Sequence, residues 1–107
     1  MPATAVFGAI AHPARRRILE LLRERPLPAG EIASAFDMGR PAVSEHLQVL
    51  RLAGLVSEEP RGRQRIYRLE PEPLGEVADW LVPFERYWER RFELLRATLD
   101  EEDTNRG

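Results

Sequence analysis

Apolar residues along this chain recur first at helical spacing, then in alternation, then at helical spacing again. Val6, Phe7 and Ile10 fall on one side of a short helix over residues 4–11. In "HPARRRILELLRERP", His12 and Pro13 mark a boundary, with His12 placed to cap the second helix. Ile18, Leu19, Leu21 and Leu22 then carry a helical stripe to Arg25, where Pro26 and Pro28 break it. "AGEIASAF" predicts a short third helix with Ile32, Ala33 and Phe36 inward, "DMG" a turn, and residues 40–53 a fourth helix. Beyond Gly54, "LVSEEP" and "QRIYRLE" have strand character and are joined by a Gly-containing turn, "RGR", at 61–63. Pro71 and Pro73 end the sheet. A long helix over 72–99 comes last, with Leu74, Val77, Leu81, Phe84, Trp88, Phe92, Leu95 and Leu99 spaced by three or four, close to a heptad seam. Pro83 predicts a kink or break in it. The expected fold is mainly α (α+β): four helices, a two-stranded β-hairpin and a long C-terminal helix.

The segment "GRPAVSEHLQVLRLAGLV" has two distinct sides. Pro41 suits the first turn of a helix and Gly54 its end. On a wheel of about 100° per residue, Ala42, Val43, His46, Leu47, Val49, Leu50 and Ala53 share one broad face. Arg40, Pro41, Ser44, Glu45, Gln48, Arg51 and Leu52 share the other. Arginine, serine and glutamine can donate to guanine, adenine and phosphate edges. A solvated polar face is the ordinary explanation for a lone helix, but this one has telling neighbours. It comes after a short helix across a tight turn and precedes a hairpin carrying Arg61, Arg63, Arg65 and Arg68 against only Glu58 and Glu59. That is the layout of a winged helix-turn-helix.

With 107 residues the chain suits one domain, read as 1–99, with an acidic, disordered tail at 100–107. No apolar run approaches the ~20 residues a bilayer requires. The N-terminal arginines come after the apolar stretch rather than before it, the reverse of a secretory signal, which predicts a cytoplasmic protein. The absence of cysteine excludes disulfides and thiolate chemistry within these residues. All sixteen basic residues are arginine, a uniform bias better explained by base composition than by function. Net charge is −2, but its distribution matters more. Residues 1–70 hold eleven Arg against eight Asp and Glu, whereas 71–107 hold five Arg against ten. The basic excess thus lies with the hairpin and the helices before it.

"AIAHPARRRILELL", "GEIASAF", "RPAVSEHLQVLRLAGLV" and "RGRQRIYRL" together resemble ArsR-type bacterial repressors over residues 7–70, and "VADWLVPFERYWERRFELL" resembles the subgroup without a metal site. The resemblance implies a homodimeric winged-helix transcriptional regulator, usually a repressor, on an inverted-repeat operator. Helix 40–53 would enter the major groove, and the hairpin 58–68 would lie on the backbone or in the minor groove. The expected DNA contacts are Arg40, Pro41, Ser44, Glu45, Gln48, Arg51, Arg61, Arg63, Gln64 and Arg65. The first and last helices would form the dimer, through Val6, Phe7, Ile10, Leu81, Phe84, Trp88, Phe92 and Leu95. Gly39 stands where the family often has a capping Ser or Thr, which weakens the cap by only tenths of a kcal/mol.

Other readings rank lower. His46 lies on the buried side of its wheel, which favours a hydrogen-bonded packing role over a metal ligand. The last helix carries Glu76, Asp79, Glu85, Glu89 and Glu93 but no histidine, so these acids are read as a solvated face paired with Arg86, Arg90 and Arg91. Trp80, Phe84, Tyr87 and Trp88 are read as dimer packing ahead of a ligand pocket. No cofactor, metal or enzymatic activity is expected: no phosphate loop and no nucleophile with a base is present. The alternatives are a winged-helix module that binds protein instead of DNA, and a metal-responsive repressor with carboxylate and histidine ligands.

Overall fold

A computed structural model describes the backbone of residues 3–106 and the side chains of 5–91 and 93–99. The helices are α1 (Ala3–Ile10), α2 (Pro13–Glu24), α3 (Ala29–Ser34), α4 (Arg40–Leu52), α5 (Leu74–Leu81) and α6 (Glu85–Arg106). The strands are β1 (Leu27–Pro28), β2 (Val56–Arg61) and β3 (Gln64–Leu69), and a 3₁₀ turn, Val82–Phe84, separates the last two helices. The chain divides into two compact units, Met1–Val77 and Ala78–Gly107.

In the first unit, local chemistry sets each boundary. His12 is the N-cap of α2, its Nδ1 accepting the Ala14 N–H at 3.1 Å. The orphan carbonyls at the end of α1 accept from arginines of the next helix: Arg15 Nε to Ala9 O at 2.7 Å and Arg16 Nη1 to Ile10 O at 2.8 Å. Cations at a helix C-terminus also meet the favourable end of its dipole. At the far end of α4, Gly54 takes φ +77°. Leu55 N–H bonds Leu50 O at 2.9 Å and Gly54 N–H bonds Arg51 O at 3.0 Å, the paired bonds of a Schellman stop.

The core is built from one face of each of α1 to α4, together with Leu27, Leu55 and Val56. Val6, Ile18, Ile32, Val43, Leu47, Leu50 and Leu55 are all but fully buried. Each such side chain contributes about 1.5–3 kcal/mol by leaving water. Val6, expected at a dimer interface, is therefore occupied: it is 0% exposed within its own chain and offers nothing to a partner. Leu74 and Val77 likewise pack on this core, so the apolar series of the C-terminal region loses its first two members to the protomer itself.

The sheet has three strands in the order β1-β3-β2, all antiparallel. The hairpin has the expected position, but the third strand is additional. Leu27 pairs with Tyr67 and Pro28 with Ile66, a bridge too short and too proline-rich to carry a strand pattern. Arg61 pairs with Gln64, leaving Gly62 and Arg63 as a two-residue turn. Gly62 has φ +63° in the first central position, as a II′ turn requires.

In the second unit the helix does not run through. Pro83 falls in the 3₁₀ turn between α5 and α6, because proline cannot donate to the ladder. The Trp80 and Phe84 rings pack across this turn at a 43° tilt, with centroids 5.1 Å apart. The backbone of α6 extends to Arg106, into the stretch 100–107 expected to be disordered; no glycine or proline interrupts it before Gly107. Among the described residues none of the acids from Glu76 to Glu93 forms an ion pair, and Arg86 lies instead over the Tyr87 ring at 5.7 Å. Exposed pairs of this type are worth too little to hold a geometry.

Candidate nucleic-acid interface

The two faces of α4 separate as the wheel expects. Val43, Leu47 and Leu50 are buried, and Ala42, His46 and Val49 half-buried. Arg40, Pro41, Ser44, Glu45, Gln48, Arg51 and Leu52 are all exposed. Gly39 caps the helix through its backbone alone, its carbonyl accepting from Ala42 and Val43. Pro41 sits in the first turn, where a missing N–H costs nothing. Helix α3 and the turn after it hold α4 so that the core anchors one side and the other stays in water.

The hairpin reaches the same side of the molecule. Arg40 and Ser44 of α4 line a cleft of about 480 Å³ with Arg63, Gln64, Arg65 and Tyr67 of the hairpin, and Pro28, Ala29 and Gly30 close it. Gln48 lies further along α4 on a shallow surface shared with Ser44, Glu45 and Val49. Arg51 and Arg61 lie outside the cleft. Sequence spacing missed Tyr67 and the 28–30 backbone. Tyr67 was within reach, since alternation along β3 puts residues 65 and 67 on one face.

Charge at this surface is uneven. Among the described residues no acid pairs with Arg40, Arg61 or Arg63. Arg65 does have a partner, Glu58, at 2.9 Å, and Arg68 has Glu59 at 3.5 Å. Tyr67 stands opposite Glu58 in the hairpin register. Burial first, and then interaction with the Glu58 carboxylate, raise the Tyr67 pKa above the usual phenol value. His46 packs its ring against His12, with centroids 4.4 Å apart, and no hydrogen bond to it forms among the described residues, contrary to expectation. Its pKa is lowered, chiefly by burial, then by His12 and Arg15, with Glu45 opposing.

Of the residues expected at a dimer surface, Phe7, Ile10 and Leu81 are half-buried, and Phe84, Trp88 and Leu95 are exposed. Phe92's side chain lies outside the described residues. Among the described residues no three of His, Asp and Glu gather as a metal site needs.

Residues 12–58, which hold α2, the helix-turn-helix and the start of the hairpin, match the model of the bacterial regulatory protein, arsR family. The transcriptional regulator Rv2034 of Mycobacterium tuberculosis is 39% identical over 96 residues, 90% of this chain and 87% of the relative. The chain belongs to the ArsR family. It is accordingly a DNA-binding transcriptional regulator with a winged-helix fold, and not an enzyme. A second relative, the transcriptional repressor SdpR of Bacillus subtilis, is 37% identical over 79 residues, 74% of this chain and 88% of its own. The solution structure of the homodimeric winged helix-turn-helix DNA-binding domain of Mb0332 from Mycobacterium bovis, a possible ArsR-family regulator, aligns with a TM-score of 0.63 and 29% identity, covering 78% of this chain and 80% of that one. No helix among the described residues is long and apolar enough to cross a membrane.

Proposed function

We propose that this ArsR-family chain is a homodimeric repressor, working in the cytoplasm, that reads an inverted-repeat operator with α4 in the major groove and the hairpin wing on the adjacent backbone or minor groove. The observation that carries it is the convergence of Arg40 and Ser44 with Arg63 and Gln64 on one cleft, beside an α4 face that is polar but for Pro41 and Leu52 and free of core duties. Ser44 and Gln48 are the base readers, with Glu45 able to accept from cytosine. Arg63 and Arg65 hold the backbone, Arg40 serves either role, and Arg51, Arg61, Gln64 and Pro41 complete the contact. Repression is supported by the likeness to SdpR, and a dimer by the likeness to the homodimeric Mb0332 domain. Exposed Phe84, Trp88 and Leu95 supply apolar surface for a second copy, joined by Phe7, Ile10, Leu81 and Phe92. Residues 1–99 form the working domain and 100–107 an acidic appendage. Two recognition helices would then stand about 34 Å apart, one duplex turn.

Helix and wing should fail differently. Gln48→Ala or Ser44→Ala should cost about 1–3 kcal/mol per lost base contact and relax preference at particular operator positions. Arg63→Ala should weaken all sequences alike and shallow the salt dependence by about one unit of slope. Affinities for operator variants at several salt concentrations measure both. If the Gln48 and Ser44 variants keep sequence preference while the Arg63 variant alters it, α4 is not the reader.

A further inference from the structure

The two acids of the wing stand on opposite faces of β2. Glu58 is opposite Tyr67, on the face that carries Val56 and Leu69 toward the core and Arg65 toward the cleft. Glu59 is opposite Ile66, on the other face. Glu58 accepts from Arg65 Nη1 at 2.9 Å, and its side chain is only 24% exposed against 62% for Arg65. The carboxylate is thus anchored in the sheet opposite Tyr67, while the arginine it grips lines the cleft. The Glu59–Arg68 pair has no such anchor: its separation is 3.5 Å, and its side chains are 55% and 45% exposed.

We infer that Glu58 is a positioning residue that sets DNA specificity, clamping Arg65 beside Tyr67 and cancelling its charge against phosphates that do not meet it in register. The inference rests on reading the wing as a DNA contact. A free arginine on a flexible stem finds a phosphate on any duplex. A clamped one is presented in a fixed fork, and its net attraction is offset by the carboxylate behind it. Arg40 and Arg63, which have no acid partner among the described residues, then supply the unspecific attraction. Arg65 adds energy only where DNA geometry brings a phosphate or base edge to the clamped position.

The test compares the wild-type chain with Glu58→Gln, which keeps size and removes charge, and with Glu58→Ala as a second variant. Glu59→Gln is the control. Affinities are measured by fluorescence anisotropy, at several salt concentrations, for a duplex selected from a random pool and for its scrambled counterpart. Both Glu58 variants should bind the scrambled duplex severalfold tighter, steepen its salt dependence by about 0.9 units of slope, and lower the ratio of selected to scrambled affinity. Glu59→Gln should change the ratio little, and adding Arg65→Ala to Glu58→Gln should abolish the extra slope. An unchanged slope in both Glu58 variants, or an extra slope that survives the loss of Arg65, overturns the clamp. The operator reading is judged separately, by the wild type: a wild-type chain with no preference for any selected duplex overturns that reading, whatever Glu58 does.

Discussion

Helices α4 and α6 both carry apolar residues spaced by three or four, yet those residues meet water in opposite ways. The apolar face of α4 is finished by its own chain: Val43, Leu47 and Leu50 are at most 2% exposed, and only polar groups, Pro41 and Leu52 remain outside. In α6 the described large apolar residues stay in solvent, with Tyr87 at 65%, Leu94 at 66%, Leu95 at 56% and Leu99 at 52%. The first pattern is that of an element held rigidly by the protomer so that its polar face can be used. The second is that of an element whose described apolar side chains remain open to solvent. Three-or-four spacing marks both; what separates them is whether the protomer covers the stripe.

The sharpest way to break this contrast is to remove the second region. A chain ending at Val77 keeps the whole buried core and the cleft. It is expected to run as a monomer in light scattering, with operator affinity lowered about 10²–10⁴-fold through loss of bivalent attachment. A truncated chain that stays dimeric with full affinity would show that α6 has no such role. Next in size is a matched pair of leucines. Leu50→Ala should destabilise the fold by about 2–5 kcal/mol in denaturant titration. Leu95→Ala should shift protomer stability by no more than about 0.5 kcal/mol while raising the concentration at which dimers dissociate. Equal effects on folding would erase the distinction.

The smallest effect concerns the half-buried edge of α4. Because burial, His12 and Arg15 lower the pKa of His46, the folded chain binds that proton less readily than the unfolded one. Stability from this source is complete above the unfolded value of about 6.5 and declines as pH falls through the folded one. Unfolding midpoints measured between about pH 7.5 and pH 5 should therefore drop, and His46→Gln should flatten the drop. A variant that declines as steeply as wild type would place the acid sensitivity elsewhere.

Much of the first unit was legible because its signals are local. The Pro41 start, the Gly54 stop, the His12 cap and the split faces of α4 each depend on residues within a few positions. What escaped depends on distant partners. The pairing of Leu27 and Pro28 with β3 needs a strand about forty residues away, and two residues leave no periodic trace. Val6, Leu74 and Val77 look like any interface leucine or valine until the space beside them is known to be filled by the protomer. The hairpin arginines were countable, but their inequality was not. That Arg65 is held and Arg63 is not comes from a diagonal across the hairpin, set by register rather than by composition.

The open end of the wing is fastened to the end of α4 by main chain: the Glu70 N–H donates to Leu55 O at 2.8 Å, one residue past the Schellman stop. No side chain is needed for that clasp, so substitutions between residues 56 and 69 leave it intact. Insertions do not. One extra residue in either strand would turn every later wing side chain to the opposite face while both ends stayed fixed. The wing should therefore drift freely in spelling but not in length. Length changes should be confined to its tip, where a longer loop lets the wing extend its reach along DNA without disturbing the helix that reads it.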